Sequence, residues 1–209
     1  VSARLVCVSI MDAPFYAEFS TRSNFSFLEG ASHPEELAVT AMRLGHGALG
    51  LADRNTVAGV VRAHMAAKEA KLAYHPGTRL VFSDGTPDVL AYPRNRTAWG
   101  RLCRLLTAGN LRGEKGAADV RLEDLLEWGE GLNLAVMAGT GAALEEGSIV
   151  RLEPVQALCA AFGKAVRLAA APGFSVSDRH WLEMAAADAR ACGVPLMAVG
   201  DVTCHTPAR

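Results

Sequence analysis

The sequence lacks most of the features that would give a function away. Its formal net charge is −1 over 209 residues, so no basic field marks a free-standing nucleic-acid binder. Its five cysteines, Cys7, Cys103, Cys159, Cys192 and Cys204, are odd in number and scattered, and no Cys-x-x-Cys pair occurs. That speaks against a disulfide framework and against a cysteine zinc site. The apolar run from Leu5 to Met11 is too short to span a membrane and lacks the small-residue cleavage site of a signal peptide. A cytoplasmic location with no membrane partner is therefore expected. No Gly-x-Gly-x-x-Gly follows a strand and there is no Walker-type Gly-Lys-Ser, which weakens a nucleotide-binding open sheet.

What is present is material for a core. Half of the residues are hydrophobic and the mean hydropathy is +0.16, so the chain is not disordered. Residues 1–14 are expected to form an N-terminal extension and 15–209 a single domain. Strand-like and helix-like segments alternate. A half-buried strand is expected over Phe15 to Phe19, a helix over Pro34 to Leu44, a buried strand over Ala48 to Asp53 and a helix over Val60 to Ala70. Short extended runs at Leu72 to Tyr74 and Leu80 to Phe82 flank a loop, His75 to Arg79. A hairpin turn at Ser83 to Thr86 is answered by Asp88 to Tyr92. Further helices are expected over Thr97 to Ala108, Glu123 to Glu130, Pro154 to Gly163 and Ser177 to Cys192, the last capped by Ser177. Leu132 to Met137, Ala165 to Ala170 and Pro195 to Val199 read as strands. The order argues for one parallel α/β domain. Pattern alone does not choose between an open sheet and a barrel.

The long loop after the first strand, Ser20 to Glu29, lies where βα folds place their chemistry, and Ser32 with Glu35 has capping-box spacing for the helix that follows. Asp53 and Asp201 likewise stand at strand ends. The loop's wording, Ser23-Asn-Phe-Ser-Phe-Leu-Glu-Gly30-Ala31, resembles the first motif of the PHP (polymerase and histidinol phosphatase) domain of bacterial C-family DNA polymerases. The likeness runs from about Tyr16 to the C-terminus. Ala52-Asp-Arg-Asn-Thr-Val-Ala-Gly-Val-Val-Arg-Ala-His64 and Gly100-Arg-Leu-Cys-Arg-Leu-Leu-Thr107 resemble the error-prone subgroup, the paralogue of the polymerase III alpha subunit.

The resemblance implies a distorted (β/α)7 barrel with a metal cluster at the C-terminal ends of its strands. At the matched ligand positions this chain has Ser20, Arg22, Asp53, Arg54, Arg79, Asp201 and Thr203. Only Asp53 and Asp201 are metal-binding types. Serine and threonine are poor ligands, and a guanidinium stays protonated and offers only donors. The expectation is a metal-free, non-catalytic site in which Arg22, Arg54 and Arg79 supply the positive charge through pairs with carboxylates. The resemblance further implies a parent DNA-directed DNA polymerase active in damage tolerance. It would use magnesium, contact DNA, and have the rest of its own chain and translesion proteins as partners. The alternative is a metal-dependent phosphoesterase or 3'-5' exonuclease with an altered site. His33 and His64 read as structural or surface residues, and His46, His75 and His180 stand in no evident cluster. His205 could join Asp201 but misses the expected spacing. The run Arg94, Arg96, Arg101, Arg104, Arg112 and Lys115 reads as a solvated face rather than a phosphate track.

Overall fold

The computed structural model describes residues 16–114, 116–139, 148–173 and 178–208. The expected extension over residues 1–14, the start of the first strand at Phe15, Lys115 and the Ser177 cap lie outside them.

Among the described residues seven strands form one sheet in sequence order. They are β1 (Ala17–Thr21), β2 (Ala48–Arg54), β3 (Ala73–Leu80), β4 (Val89–Pro93), β5 (Leu132–Met137), β6 (Val166–Ala170) and β7 (Leu196–Ala198). The helices are α1 (Pro34–Arg43), α2 (Val60–Glu69), α3 (Arg96–Arg112), α4 (Leu122–Trp128), α5 (Leu152–Phe162) and α6 (Asp178–Cys192). Neighbouring strands are parallel except β4, which runs antiparallel to both β3 and β5. The hairpin expected at Ser83 to Thr86 is borne out by the antiparallel β3–β4 pair, and the expected parallel order is corrected at β4 alone. Residues 81–88 are too few for a crossover, so the chain must turn back on itself. Asp84 holds that turn, accepting a hydrogen bond from the Thr86 amide at 3.0 Å.

The split strand is a second correction. His75 to Arg79 is not a loop but the middle of β3. Pro76 pairs in register with Leu51 of β2, whereas β4 joins β3 only from Thr78 onward. A missing N–H is tolerated on a stretch with one strand neighbour. Gly77 serves close approach rather than a turn: a Cβ there would stand 2.4 Å from Cε1 of Tyr92. The helix cap also moves by one residue. His33, not Ser32, precedes α1, and its amide donates to Glu36 at 2.8 Å.

Strand alternation sorts the core into an outer and an inner face. Val89, Ala91, Leu134, Val136 and Leu168 face outward into a cluster with α3, α5 and α6. Leu49 and Leu51 pack outward with residues of α1 and α2. Leu90, Tyr92, Ala135, Met137, Ala169 and Val199 face inward, with Ala52. An inner core shared by β2, β4, β5 and β6 requires the sheet to curl into a half-barrel. Its two edges meet through the segment after β7. The Arg22 amide donates to the Val202 carbonyl at 2.8 Å, and the Glu18 carboxylate of β1 accepts from the Gly200 amide at 2.7 Å.

Candidate functional site

The curl brings the ends of β1, β2 and β3, the start of β4 and the segment after β7 to one rim. Two carboxylates there were legible in the sequence, and the structure gives them different company.

Asp53 is buried at the end of β2, 1% exposed, and is held by hydrogen bonds from the loop that follows β1. Its Oδ1 accepts from the Ser23 amide at 2.6 Å and the Ser26 hydroxyl at 2.7 Å. Its Oδ2 accepts from the Ser23 hydroxyl at 2.8 Å. The β1–α1 loop is thus pinned onto β2, and the Arg54 amide donates in turn to Ser26 Oγ at 3.0 Å. This geometry sets a test. An asparagine can keep Oδ1 and turn its amide toward Ser23 Oγ, since hydroxyls accept as well as donate. Asp53→Asn is therefore expected to cost about 1 kcal/mol, and Asp53→Ala, which orphans all three donors, about 3 kcal/mol or more, in urea denaturation.

Asp201 sits in the left-handed region, φ +48°, which turns its carboxylate back over the rim. Its Oδ1 accepts from Arg79 Nη1 at 2.8 Å and from Ser20 Oγ at 3.0 Å, and its Oδ2 accepts from Arg22 Nη2 at 3.1 Å. Arg79 is buried and shared: its Nε donates to Asp88 at 2.7 Å. Arg22 reaches Glu29 through Nη1 at 2.8 Å. Arg54 also pairs with Glu29, but it stays half exposed and does not reach either aspartate. Burial pushes the Glu29 carboxyl up, yet the hydrogen bonds and charges of Arg54 and Arg22 outweigh it and hold it below the ordinary glutamate range.

So the structure brings Ser20, Arg22, Arg79 and Asp201 together, with Arg54 one step outward through Glu29. Asp53 is in a separate, serine-lined anchor. Thr203 contributes its carbonyl, which accepts from the Ala31 amide at 2.8 Å. His205 does not join Asp201; its Nδ1 lies 2.7 Å from Ser32 Oγ. His33 Nδ1 pairs with Asn24 at 3.0 Å. In the basic run, Arg112 forks onto Asp124 at 2.7 and 2.8 Å, Arg101 pairs with Glu130, and Arg104 lies over Trp128.

Sequence reasoning missed Glu18, Glu29 and Asp88. Glu18 is buried inside β1, and its carboxylate accepts from the Ser20 amide at 2.6 Å and the Tyr16 hydroxyl at 2.6 Å besides Gly200. A charged residue at the strand parity of Ser20 was the available signal. Burial and the Glu18 carboxylate both raise the Tyr16 phenol.

The family resemblance implies metal ions at this rim, and the donor set does not fit them. A hydrolytic centre needs imidazoles and carboxylates converging on an open position. Here two guanidiniums occupy the Asp201 oxygens, and both Asp53 oxygens accept from serine donors. Among the described residues no three of His, Cys, Asp and Glu are arranged to hold a metal ion.

Comparison with known proteins gives a consistent picture. A family model described as PHP domain matches residues 18–155. An error-prone DNA polymerase from Mesorhizobium japonicum is 56% identical over 196 residues, covering 93% of this chain and 17% of its own. Error-prone DNA polymerase 1 of Rhizobium meliloti is 50% identical over 192 residues, with 92% and 17% covered. An error-prone DNA polymerase from Caulobacter vibrioides is 42% identical over 200 residues, with 95% and 18% covered. The chain thus spans about a sixth of the length of these relatives. Among solved structures, a candidate metal-dependent phosphoesterase from Bifidobacterium adolescentis superposes with TM-score 0.66 at 15% identity, over 94% of this chain and 90% of that one. An amidohydrolase from Chromobacterium violaceum, with bound sulfate and no metal, gives 0.62 at 15% identity, over 90% and 87%. At that identity the two structures bear on the fold alone.

Proposed function

The chain belongs to the PHP domain family, and we propose that it is the metal-free, non-hydrolytic PHP domain of an error-prone DNA polymerase, where it braces the rest of that longer chain. The observation that carries this reading is Asp201, with its two oxygens taken by Arg79 and Arg22 at 2.8 and 3.1 Å. Fixed guanidiniums do electrostatically what bound cations do: they neutralise strand-end carboxylates that would otherwise repel each other. They differ in offering no open coordination position and no activated water. The site therefore stiffens the rim and does no hydrolysis. DNA synthesis in damage tolerance, the magnesium it uses, contact with DNA and with translesion proteins, and a cytoplasmic setting belong to the proposed parent polymerase. They would be served by parts of it outside these 209 residues.

The experiment is a phosphoesterase and 3'-5' exonuclease assay in manganese and in zinc, on the wild type and on the triple variant Ser20→His, Arg22→His, Arg54→His. No turnover above the metal-only background is expected from either. Arg79 still fills the Asp201 side of the cleft in the variant, so restoring imidazoles alone does not rebuild a centre. Turnover by the wild type would overturn the proposal and favour the hydrolytic reading.

A further inference from the structure

The opposite end of the barrel carries a second feature, independent of the rim and of the function proposed for it. Interiors of small barrels are filled by layers of inward side chains. At the N-terminal ends of the parallel strands that filling is incomplete, and a cavity of about 480 Å³ opens there. Its floor is apolar. Tyr92 packs across the sheet where Gly50 and Gly77 have no side chain (a Cβ at Gly50 would stand 2.7 Å from its hydroxyl), and Phe19 meets the Tyr92 ring edge-on at 5.4 Å.

The walls are polar and of one sign. In the strand registers Asn133 pairs with Tyr92, Arg167 with Ala135 and His75 with Gly50. Directly paired residues share a face, so all three belong to the inner face. Arg94 stands beside them just past β4 and, among the described residues, its side chain donates only to the Gly131 carbonyl, at 3.2 Å. No aspartate or glutamate among the described residues lines the cavity. Among the described residues the Arg167 guanidinium has no hydrogen-bonding or ion-pair partner. A half-buried guanidinium with no partner among the described residues, beside an apolar floor, suits an anion with an apolar body. The size suits a small molecule.

We propose that this cavity binds a phosphate group carried on a planar ring system, as in a nucleoside monophosphate, free or at the end of a single strand. The phosphate bridges Arg167 and Arg94, whose forks match its oxygens. The ring lies against His75, itself tilted at 43° to Phe19 with ring centroids 5.4 Å apart, and the Asn133 amide faces the ring edge.

The test titrates the 209-residue protein by calorimetry with deoxyadenosine monophosphate, inorganic phosphate, deoxyadenosine, and a short oligonucleotide with and without a 5'-phosphate. The monophosphate is expected to bind at least about tenfold tighter than phosphate or nucleoside alone, and Arg167→Ala to weaken it about tenfold or more, the worth of one charged hydrogen bond. Arg94→Ala acts in the same direction, and thermal unfolding checks that both variants remain folded. Binding of the phosphorylated strand assigns the source to strand ends, and binding of the mononucleotide alone assigns it to free nucleotides; either supports the proposal. Phosphate binding as tightly as the nucleotide, affinity unchanged by Arg167→Ala in a folded protein, or no binding at millimolar concentration would overturn it.

Discussion

Replacing Arg79 by methionine should lower the stability of this domain by about 3 kcal/mol, near the bottom of the range for removing one partner of a buried ion pair. The guanidinium is 6% exposed and answers two carboxylates, Asp88 at 15% and Asp201 at 29% exposure. Because both carboxylates keep some contact with water, the loss stays moderate. Methionine has comparable length and fills the space, so the loss reports charge rather than a cavity. For a domain of this size that corresponds to a drop in melting temperature of roughly 6–12 °C. Adding Asp201→Asn to Arg79→Met should recover part of it, since the second change removes a charge that the first left short of a partner. An Arg79→Met protein as stable as wild type in urea would mean the guanidinium is not neutralising the rim.

The second large effect is expected at Glu18, which closes the barrel seam. Both of its oxygens accept backbone N–H groups, one from Ser20 and one from Gly200. A glutamine must therefore aim its own N–H at a donor whichever way it is turned. Glu18→Gln is expected to cost about 1–3 kcal/mol despite its near-identical shape. Glu18→Ala adds a cavity and leaves the Ser20 and Gly200 amides without their acceptor, for about 3–5 kcal/mol in total. Hydrogen exchange localises the damage: the Ser20 and Gly200 amides should lose protection first, ahead of β4 and β5. Uniform loss across the sheet would place the seam elsewhere. The contrast with Asp53→Asn, expected to be mild, separates an acceptor with two obligatory N–H donors from one whose second oxygen faces a hydroxyl.

Much of this fold could be read from local pattern. The helices with apolar faces at helical spacing and the strand Leu132–Met137 follow from periodicity that their own residues carry. β3 could not be read that way. His-Pro-Gly carries every local mark of a turn, and the reason for Gly77 is the Tyr92 ring, fifteen residues away across a strand pair. The sense of β4 against β3 was legible in the short hairpin at Ser83 to Thr86, whereas its antiparallel pairing with β5 was not, because the alternation of strands and helices reads as parallel there. The same division runs through the rim. Asp53, Asp201 and the three arginines stand at positions marked by strand ends and by family wording. Which arginine meets which carboxylate depends on the curl, since Arg79 and Asp201 are 122 residues apart. Glu18 and Gly200 are 182 apart, and the local hint, that Glu18 shares strand parity with Ser20, does not name Gly200 as its partner. Glu29 lies only seven residues from Arg22, but its role as the bridge to Arg54 appears only once the loop is folded.

The claim on which the rest depends is that guanidiniums stand where the fold's relatives would hold cations. Its most direct measurement is the metal content of the protein, purified without chelators, dialysed against manganese and against zinc, and read by plasma mass spectrometry. Well below one equivalent of either metal is expected, unchanged by Asp201→Ala. A stoichiometric metal that Asp201→Ala removes would contradict it.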